Sequence, residues 1–228
     1  ILTVTDIYSN QGTCSSTVTV LDTLAPVVTG SITASTLEGC GAGDAPAAET
    51  TVAGLENLAG GLTIADECTA DGALTVSSTE TNTGTCPLVI TRTYVVADAC
   101  GNTTAGIVHT ITVDDTEAPV VTGSITASSV EGCGASDAPD AETTVAGLEN
   151  LEGTLMIADA CDLTVTSSDA STGTCPLVIT RTYVIADACG NTTAGIVHTI
   201  SVDDTEAPVV TGSITASTVE GCGTFASI

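Results

Sequence analysis

Ten cysteines and 28 carboxylates carry most of the reactive chemistry in this 228-residue chain, against two arginines, no lysine and two histidines. Thiols at recurring spacings can close disulfides, and carboxylates at a formal net charge of −26 attract cations. The same charge excludes nucleic acid and anionic membrane surfaces as partners, because both are bound by basic residues that neutralise phosphate. Nothing in the pattern calls for direct membrane insertion. No zinc-type C-x-x-C pair occurs, so the cysteines read as disulfide formers in an oxidising compartment. Cys40, Cys68, Cys86 and Cys100 recur as Cys133, Cys161, Cys175 and Cys189, while Cys14 and Cys222 stand outside both sets.

Catalysis finds little support. His109 and His198 occupy identical positions with no second histidine beside either, and read as packed or edge residues. Arg92 and Arg181 are the only cationic side chains of their segments and lie near Tyr94 and Tyr183. Each is expected to pair with a neighbouring acid across a sheet. No Gly-rich phosphate loop, Ser/His/Asp constellation or isolated carboxylate pair stands out, so the chain is expected not to be an enzyme. Asn102-Thr103-Thr104 and Asn191-Thr192-Thr193 fit a glycan acceptor sequon as well as a plain Asn-containing turn.

The elements that must position these residues are repeated. The segment Ala25-Pro26-Val27-Val28-Thr29-Gly30-Ser31-Ile32-Thr33-Ala34-Ser35 recurs unchanged from Ala118 and from Ala207. Residues 85–128 and 174–217 differ only where Val96 becomes Ile185 and Thr112 becomes Ser201. The repeat spans 93 residues the first time and 89 the second. The shortening falls between Cys161 and Leu163, in a loop, where deletions are tolerated. Two full repeats, 25–117 and 118–206, are flanked by partial ones, 1–24 and 207–228. The last reads as the first strand of a further repeat.

Short β-branched runs separated by Gly, Asn, Asp and Pro predict strands near 26–37, 62–65, 73–80, 87–97 and 104–113, with one or two helical turns at 52–58. Alternation places Ile107, His109, Ile111 and Val113 on one face and Ile90, Arg92, Tyr94 and Val96 on another. The expected fold is all-β, with tandem immunoglobulin-like β-sandwich domains arranged end to end as a rod. The short linker Asp114-Asp115-Thr116-Glu117-Ala118-Pro119 restricts the swing between neighbours, since Pro presets its own backbone and restrains the residue before it.

Sequence permits three pairings among four cysteines of a repeat. Cys86 and Cys100 bracket a strand of about ten residues, roughly 33 Å long at ~3.3 Å per residue, and a disulfide needs Cα atoms within ~7 Å. They cannot pair. A hairpin of 73–80 with 87–97 puts Cys68 at the end where Cys100 lies. The expected bridges are Cys40–Cys86 and Cys68–Cys100, and by repetition Cys133–Cys175 and Cys161–Cys189. Cys222 repeats the position of Cys40 and Cys133. Its partner is expected from a continuing polypeptide or from an identical subunit joined head to tail.

The acids of the linker form the one candidate site. The turn at 187–191 is expected to face Asp114, Asp115 and Glu117, with Asp159 at the same end and Glu38 approaching from below. Asp114, Asp115, Glu117, Asp159, Asp187 and Asn191 could together supply oxygens to Ca²⁺, which takes six to eight. A solvated acidic hinge is the alternative.

Thr5-Asp6 through Asn10, then Thr13-Cys14-Ser15-Ser16-Thr17-Val18-Thr19-Val20-Leu21-Asp22-Thr23-Leu24-Ala25-Pro26, resembles the close of a hyalin repeat. The full repeats resemble the hyalin-like, immunoglobulin-like modules of large surface proteins from Bacteroidetes-type bacteria, through Asp98-Ala99-Cys100-Gly101-Asn102 and Val113-Asp114-Asp115-Thr116-Glu117-Ala118-Pro119. They depart from that pattern in carrying Ile107 and Ile196 near where the partial repeat has Cys14. The resemblance implies an extracellular adhesion or stalk role, on the cell surface or in a secreted fibre. A structural spacer is the expected function. The alternative is an adhesin module that itself binds a surface glycan or protein ligand, though three Tyr, one Phe and no Trp offer few sugar-stacking rings.

Overall fold

A computed structural model of the chain describes residues 1–217, so Cys222 and the end of the 207–228 segment lie outside the described residues. Residues 1–24 carry an antiparallel hairpin, β1 (Leu2–Thr5) with β2 (Gln11–Cys14), every residue of which is exposed. Each full repeat then folds the same way. The first contains β3 (Val27–Thr29), β4 (Ser35–Glu38), α1 (Val52–Asn57), β5 (Thr63–Ala65), β6 (Thr75–Thr83), β7 (Leu88–Ala97) and β8 (Thr103–Asp114). The second contains β9 (Val120–Thr122), β10 (Ser128–Glu131), α2 (Val145–Glu149), β11 (Met156–Ala158), β12 (Leu163–Gly173), β13 (Leu177–Asp187) and β14 (Thr192–Asp203). The protein is mostly strand and belongs to the all-β class.

In the first repeat the long strands form a four-stranded sheet in the order β4-β8-β7-β6, and β3 pairs with β5 in a separate two-stranded ladder. The second repeats this as β10-β14-β13-β12 with β9 on β11. The run expected as one strand over 26–37 is broken in two. Gly30 adopts φ +78°, and a Cβ there would collide with the Gly61 carbonyl oxygen, so the chain turns where only glycine fits. The half before the turn pairs antiparallel with β5, and the half after it pairs parallel with β8. A β-favouring run gives no warning of this change of partner, because both halves are equally extended.

Two rows of alternating residues, expected on different faces, share one. Ile90 pairs with Ile111, Arg92 with His109 and Tyr94 with Ile107 across the β7–β8 ladder, and all six are buried. Directly opposed residues of paired strands project to the same side. Gly106, at φ +86°, is the extra residue of a bulge between Tyr94 and Val95.

Helix α1 starts where the Thr51 side chain accepts the Gly54 N–H, an N-cap interaction repeated by Thr144 and Gly147 in α2. Val52 and Leu55 of α1 meet Leu62, Ile64, Leu74, Tyr94, Val96 and Ile107 in the larger core cluster. A smaller cluster of Ile90, Ile111 and Val113 lies toward the other end of the sheet. Buried Arg92 and His109 sit between the two clusters, so each core is divided by a polar layer. The second repeat copies both clusters, and no cluster draws residues from both repeats.

Candidate functional site

The polar layer is satisfied locally. Arg92 Nε lies 2.9 Å from Glu80 Oε2, and the Arg181 guanidinium makes two contacts with Asp169 at 2.8 and 2.9 Å while donating to the Pro139 carbonyl. His109 Nε2 meets Ser35 Oγ at 3.1 Å, and His198 meets Ser128 at 2.9 Å. Both arginines are thus ion-paired across the sheet and both histidines are packed. Burial, reinforced by the facing arginine, holds each imidazole below its ordinary pKa; Glu49 opposes this at His109. A group kept neutral in the fold binds fewer protons than in the unfolded chain, so stability is intact above about pH 6.5 and falls as pH drops toward the lowered folded value. The thermal midpoint is expected to decline between pH 7.5 and 5.5, and His109→Gln with His198→Gln to flatten that decline. An unchanged slope in the double variant would locate the effect elsewhere.

The strand directions sort the cysteines by end. β4 and β8 run parallel and finish together, placing Glu38, Cys40 and Asp114 at the base of the first repeat; the β6–β7 turn brings Cys86 there too. The β7–β8 turn carries Cys100 at the top, and the segment after β5 carries Cys68. In the second repeat Cys161 and Cys189 hold the corresponding top positions, facing the base of the first across the short linker.

The sulfurs bond across that junction. Cys40 joins Cys161 with Cα atoms 5.3 Å apart, and Cys86 joins Cys189 with Cα atoms 5.2 Å apart. The expected bridges Cys40–Cys86 and Cys161–Cys189 are therefore corrected, although their members do share an end. Cys68–Cys100 and Cys133–Cys175 are not formed either: all four thiols, with Cys14, are free among the described residues. The expectation assumed that each repeat closes on itself. Its neighbour instead presents sulfurs within reach, because the linker allows no gap between base and top.

Hydrogen bonds bind the linker to both repeats. Glu38 of the first accepts the Thr116 N–H at 3.0 Å and its hydroxyl at 2.6 Å, and these donors keep the Glu38 carboxyl below its ordinary pKa. Asn191 of the second donates from Nδ2 to the Asp115 carbonyl at 2.8 Å and to Asp187 Oδ2 at 2.9 Å. The Asn102 amide makes the equivalent bonds to Asp22 and Asp98. The nitrogen a glycan would need is thus engaged in the turn in both sequons. Burial works to raise the Asp98 and Asp187 carboxyls, but donors from the Asn side chain and the turn backbone outweigh it and hold both low.

The acids expected to share a cation are only partly gathered. Asp115 and Asp187 converge within 4.8 Å of one another. Asp114 lies instead beside the Cys86–Cys189 bridge. Glu117 donates its N–H to Asp115 Oδ1, and Asp159 Oδ1 accepts the Cys161 N–H. No single group among the described residues holds all six. A second acidic group, not anticipated, forms at the top of the first repeat, where Asp22, Asp66 and Asp98 lie within 4.8 Å of each other. Asp22 Oδ2 there is buried with no hydrogen-bond partner. Its signal in the sequence was the alignment of Asp22 with Asp115 and of Asp66 with Asp159.

Neither protein-family models nor curated protein sequences match this chain. Among the described residues no helix is long and apolar enough to cross a membrane. The two disulfides indicate an oxidising environment.

Proposed function

We propose that this chain is a non-enzymatic extracellular structural repeat, the stalk, spacer or filament of an adhesin-like cell-surface protein. In this reading its repeats are immunoglobulin-like sandwich modules of hyalin type, set end to end. The observation that carries the reading is the pair of disulfides between repeats rather than within them. Two separate covalent bridges at one junction remove the hinge that a single linker would leave, which suits a load-bearing spacer. The near-identity of residues 85–128 and 174–217 adds support, since a ligand-binding face built on those strands would differ in at least one copy. Small-angle scattering tests the proposal. The oxidised chain should give one extended profile, and reduction should broaden the distribution of interdomain distances. A profile unchanged by reductant would remove the basis for a stiffened stalk.

Calcium enters the proposal as a ligand of the acidic tops, through Asp115 and Asp187 at the junction and Asp22, Asp66 and Asp98 above the first repeat. The buried, unpartnered Asp22 oxygen supports this, because a cation would satisfy it. Calcium is then expected to raise the melting temperature and a chelator to lower it. A melt indifferent to both would leave the acids as a solvated hinge and the structural reading standing.

A further inference from the structure

Both junction bridges have a carboxylate against their sulfurs. Asp115 Oδ2 lies 2.7 Å from Cys161 Sγ, and Asp114 Oδ1 lies 3.3 Å from Cys86 Sγ. A sulfur in a disulfide carries no proton, so neither contact is a hydrogen bond while the bridge is closed. The Asp115 carboxylate, Cys40 Sγ and Cys161 Sγ all lie within 4.8 Å of one another. Asp115 and Cys161 are buried and Cys40 is exposed, so a reductant reaches this bridge at Cys40.

The way to Cys40 is a cleft of about 390 Å³ whose walls carry the carboxylates of Glu38, Asp44, Asp115 and Glu117 and no cationic side chain. Three of these acids are held in place. Asp44 Oδ2 accepts the Cys40 and Gly41 N–H groups at 2.8 and 3.1 Å, Glu38 accepts the Thr116 donors, and Asp115 Oδ1 accepts the Glu117 N–H. The two arginines of the chain are paired elsewhere, with Glu80 and Asp169. A cleft lined by one sign of charge concentrates ions of the other sign and repels its own.

The free cysteines report what such carboxylates do to sulfur. Cys133 holds in the second repeat the place of Cys40, with Asp204 in the place of Asp115, and the Asp204 charge is the main cause that raises its thiol above the ordinary pKa. Cys68 holds in the first repeat the place of Cys161, with Asp22 in the place of Asp115, and the Asp22 charge chiefly raises that thiol too. A thiol of raised pKa is a poor leaving group in disulfide exchange.

We infer that the acidic cleft is a charge filter on reduction of the Cys40–Cys161 bridge, admitting cationic thiols and turning away anionic ones. A reductant thiolate bonds to Cys40 Sγ, the S–S bond breaks, and Cys161 departs as a thiolate that takes up a proton. A second reductant thiolate then attacks the reductant sulfur of the mixed disulfide, which releases Cys40 and a small-molecule disulfide. Two electrons pass from two reductant thiols to one bridge. The cleft repels an incoming anion, and Asp115 opposes the charge that gathers on Cys161. An ammonium group on the reductant offsets the first effect, so reductants sort by charge. The filter goes beyond the stalk reading and stands on the bridge and its cleft alone.

The test uses the oxidised chain with its free thiols alkylated beforehand and a chelator present, so that no bound cation masks the acids. Cysteamine, 2-mercaptoethanol and 2-mercaptoethanesulfonate supply a cationic, a neutral and an anionic reductant, compared at equal thiolate concentration. A second alkylation and peptide mass spectrometry follow the opening at Cys40 and Cys161. The expected order of rates is cysteamine, then mercaptoethanol, then the sulfonate. The extremes should differ at least about tenfold at low salt, and the spread should shrink as salt is added. Asp44→Asn with Glu117→Gln should narrow the spread. Glu67→Gln with Asp71→Asn removes the same charge from exposed positions at the opposite end of the first repeat and should leave the spread in place. Circular dichroism verifies that both variants fold. Equal rates for the three reductants would overturn the filter. So would a spread that both variants narrow alike, since the effect would then belong to the net charge of the chain.

Discussion

Pulled from its two ends in an oxidising buffer, the chain is expected to unfold both repeats yet withhold much of its length until a reductant is added. The Cys40–Cys161 bridge takes the stretch between its ends, a sequence separation of 121, out of the load path. At roughly 3.3–3.6 Å per extended residue, that hides on the order of 400 Å of contour. Cys86–Cys189 spans 103 residues and lies in parallel with the first bridge. The two respond differently to removal. Cys86→Ser should leave the hidden length unchanged, because Cys40–Cys161 still carries the load. Cys40→Ser should shorten it to the 103-residue span. Single-molecule force extension reads these steps directly. If the same four cysteines paired within repeats, as Cys40–Cys86 and Cys161–Cys189, reduction would yield two separate and much smaller releases, and Cys40→Ser would abolish only one. The thermodynamic counterpart is of similar weight: loops near 100 residues correspond to roughly 4–5 kcal/mol per bridge on the loop-entropy account.

Replacing Tyr94 by alanine is expected to unfold the first repeat while the second keeps its own transition. Tyr94 is wholly buried, joins α1 and β5 to the long sheet, and accepts the Glu49 N–H at its hydroxyl. Removing a buried aromatic ring costs about 3–5 kcal/mol, a large share of the 5–15 kcal/mol that holds a typical domain. Trp is absent and each repeat holds one tyrosine, so no second ring fills the space. Tyr94→Phe removes only the hydroxyl contact and should cost about 1 kcal/mol. Calorimetry of Tyr94→Ala should show one of two transitions lost or moved far down, and Tyr183→Ala should mirror it in the other repeat. Loss of both transitions from either substitution would mean that the repeats share a core, contrary to their separate clusters.

Much of this architecture is legible in the sequence because it follows from local chemistry. Alternating β-branched residues define β7 and β8 and pick out their buried rows, since side chains project from a strand with a period of two. Asp98 and Asn102 mark a turn whose side chains satisfy its own backbone. The lone arginine of each repeat, mid-strand among apolar neighbours, has to find an acid, and finds Glu80 or Asp169. Internal repetition defines the unit and its length without any alignment.

What the sequence does not determine is which of two equally available partners a group takes. A β-favouring run from 26 to 37 fits the β5 ladder and the β8 edge alike, and the turn at Gly30 settles that it uses both. Alternation assigns each cysteine to an end of its repeat but is silent about what lies beyond that end. The tertiary structure decides the bonds, because the short linker sets the base of one repeat against the top of the next. That brings Cys40 and Cys86 within about 5 Å, Cα to Cα, of sulfur-bearing residues 121 and 103 positions away. Disulfide geometry responds to distance and direction in space, and separation along the chain fixes neither.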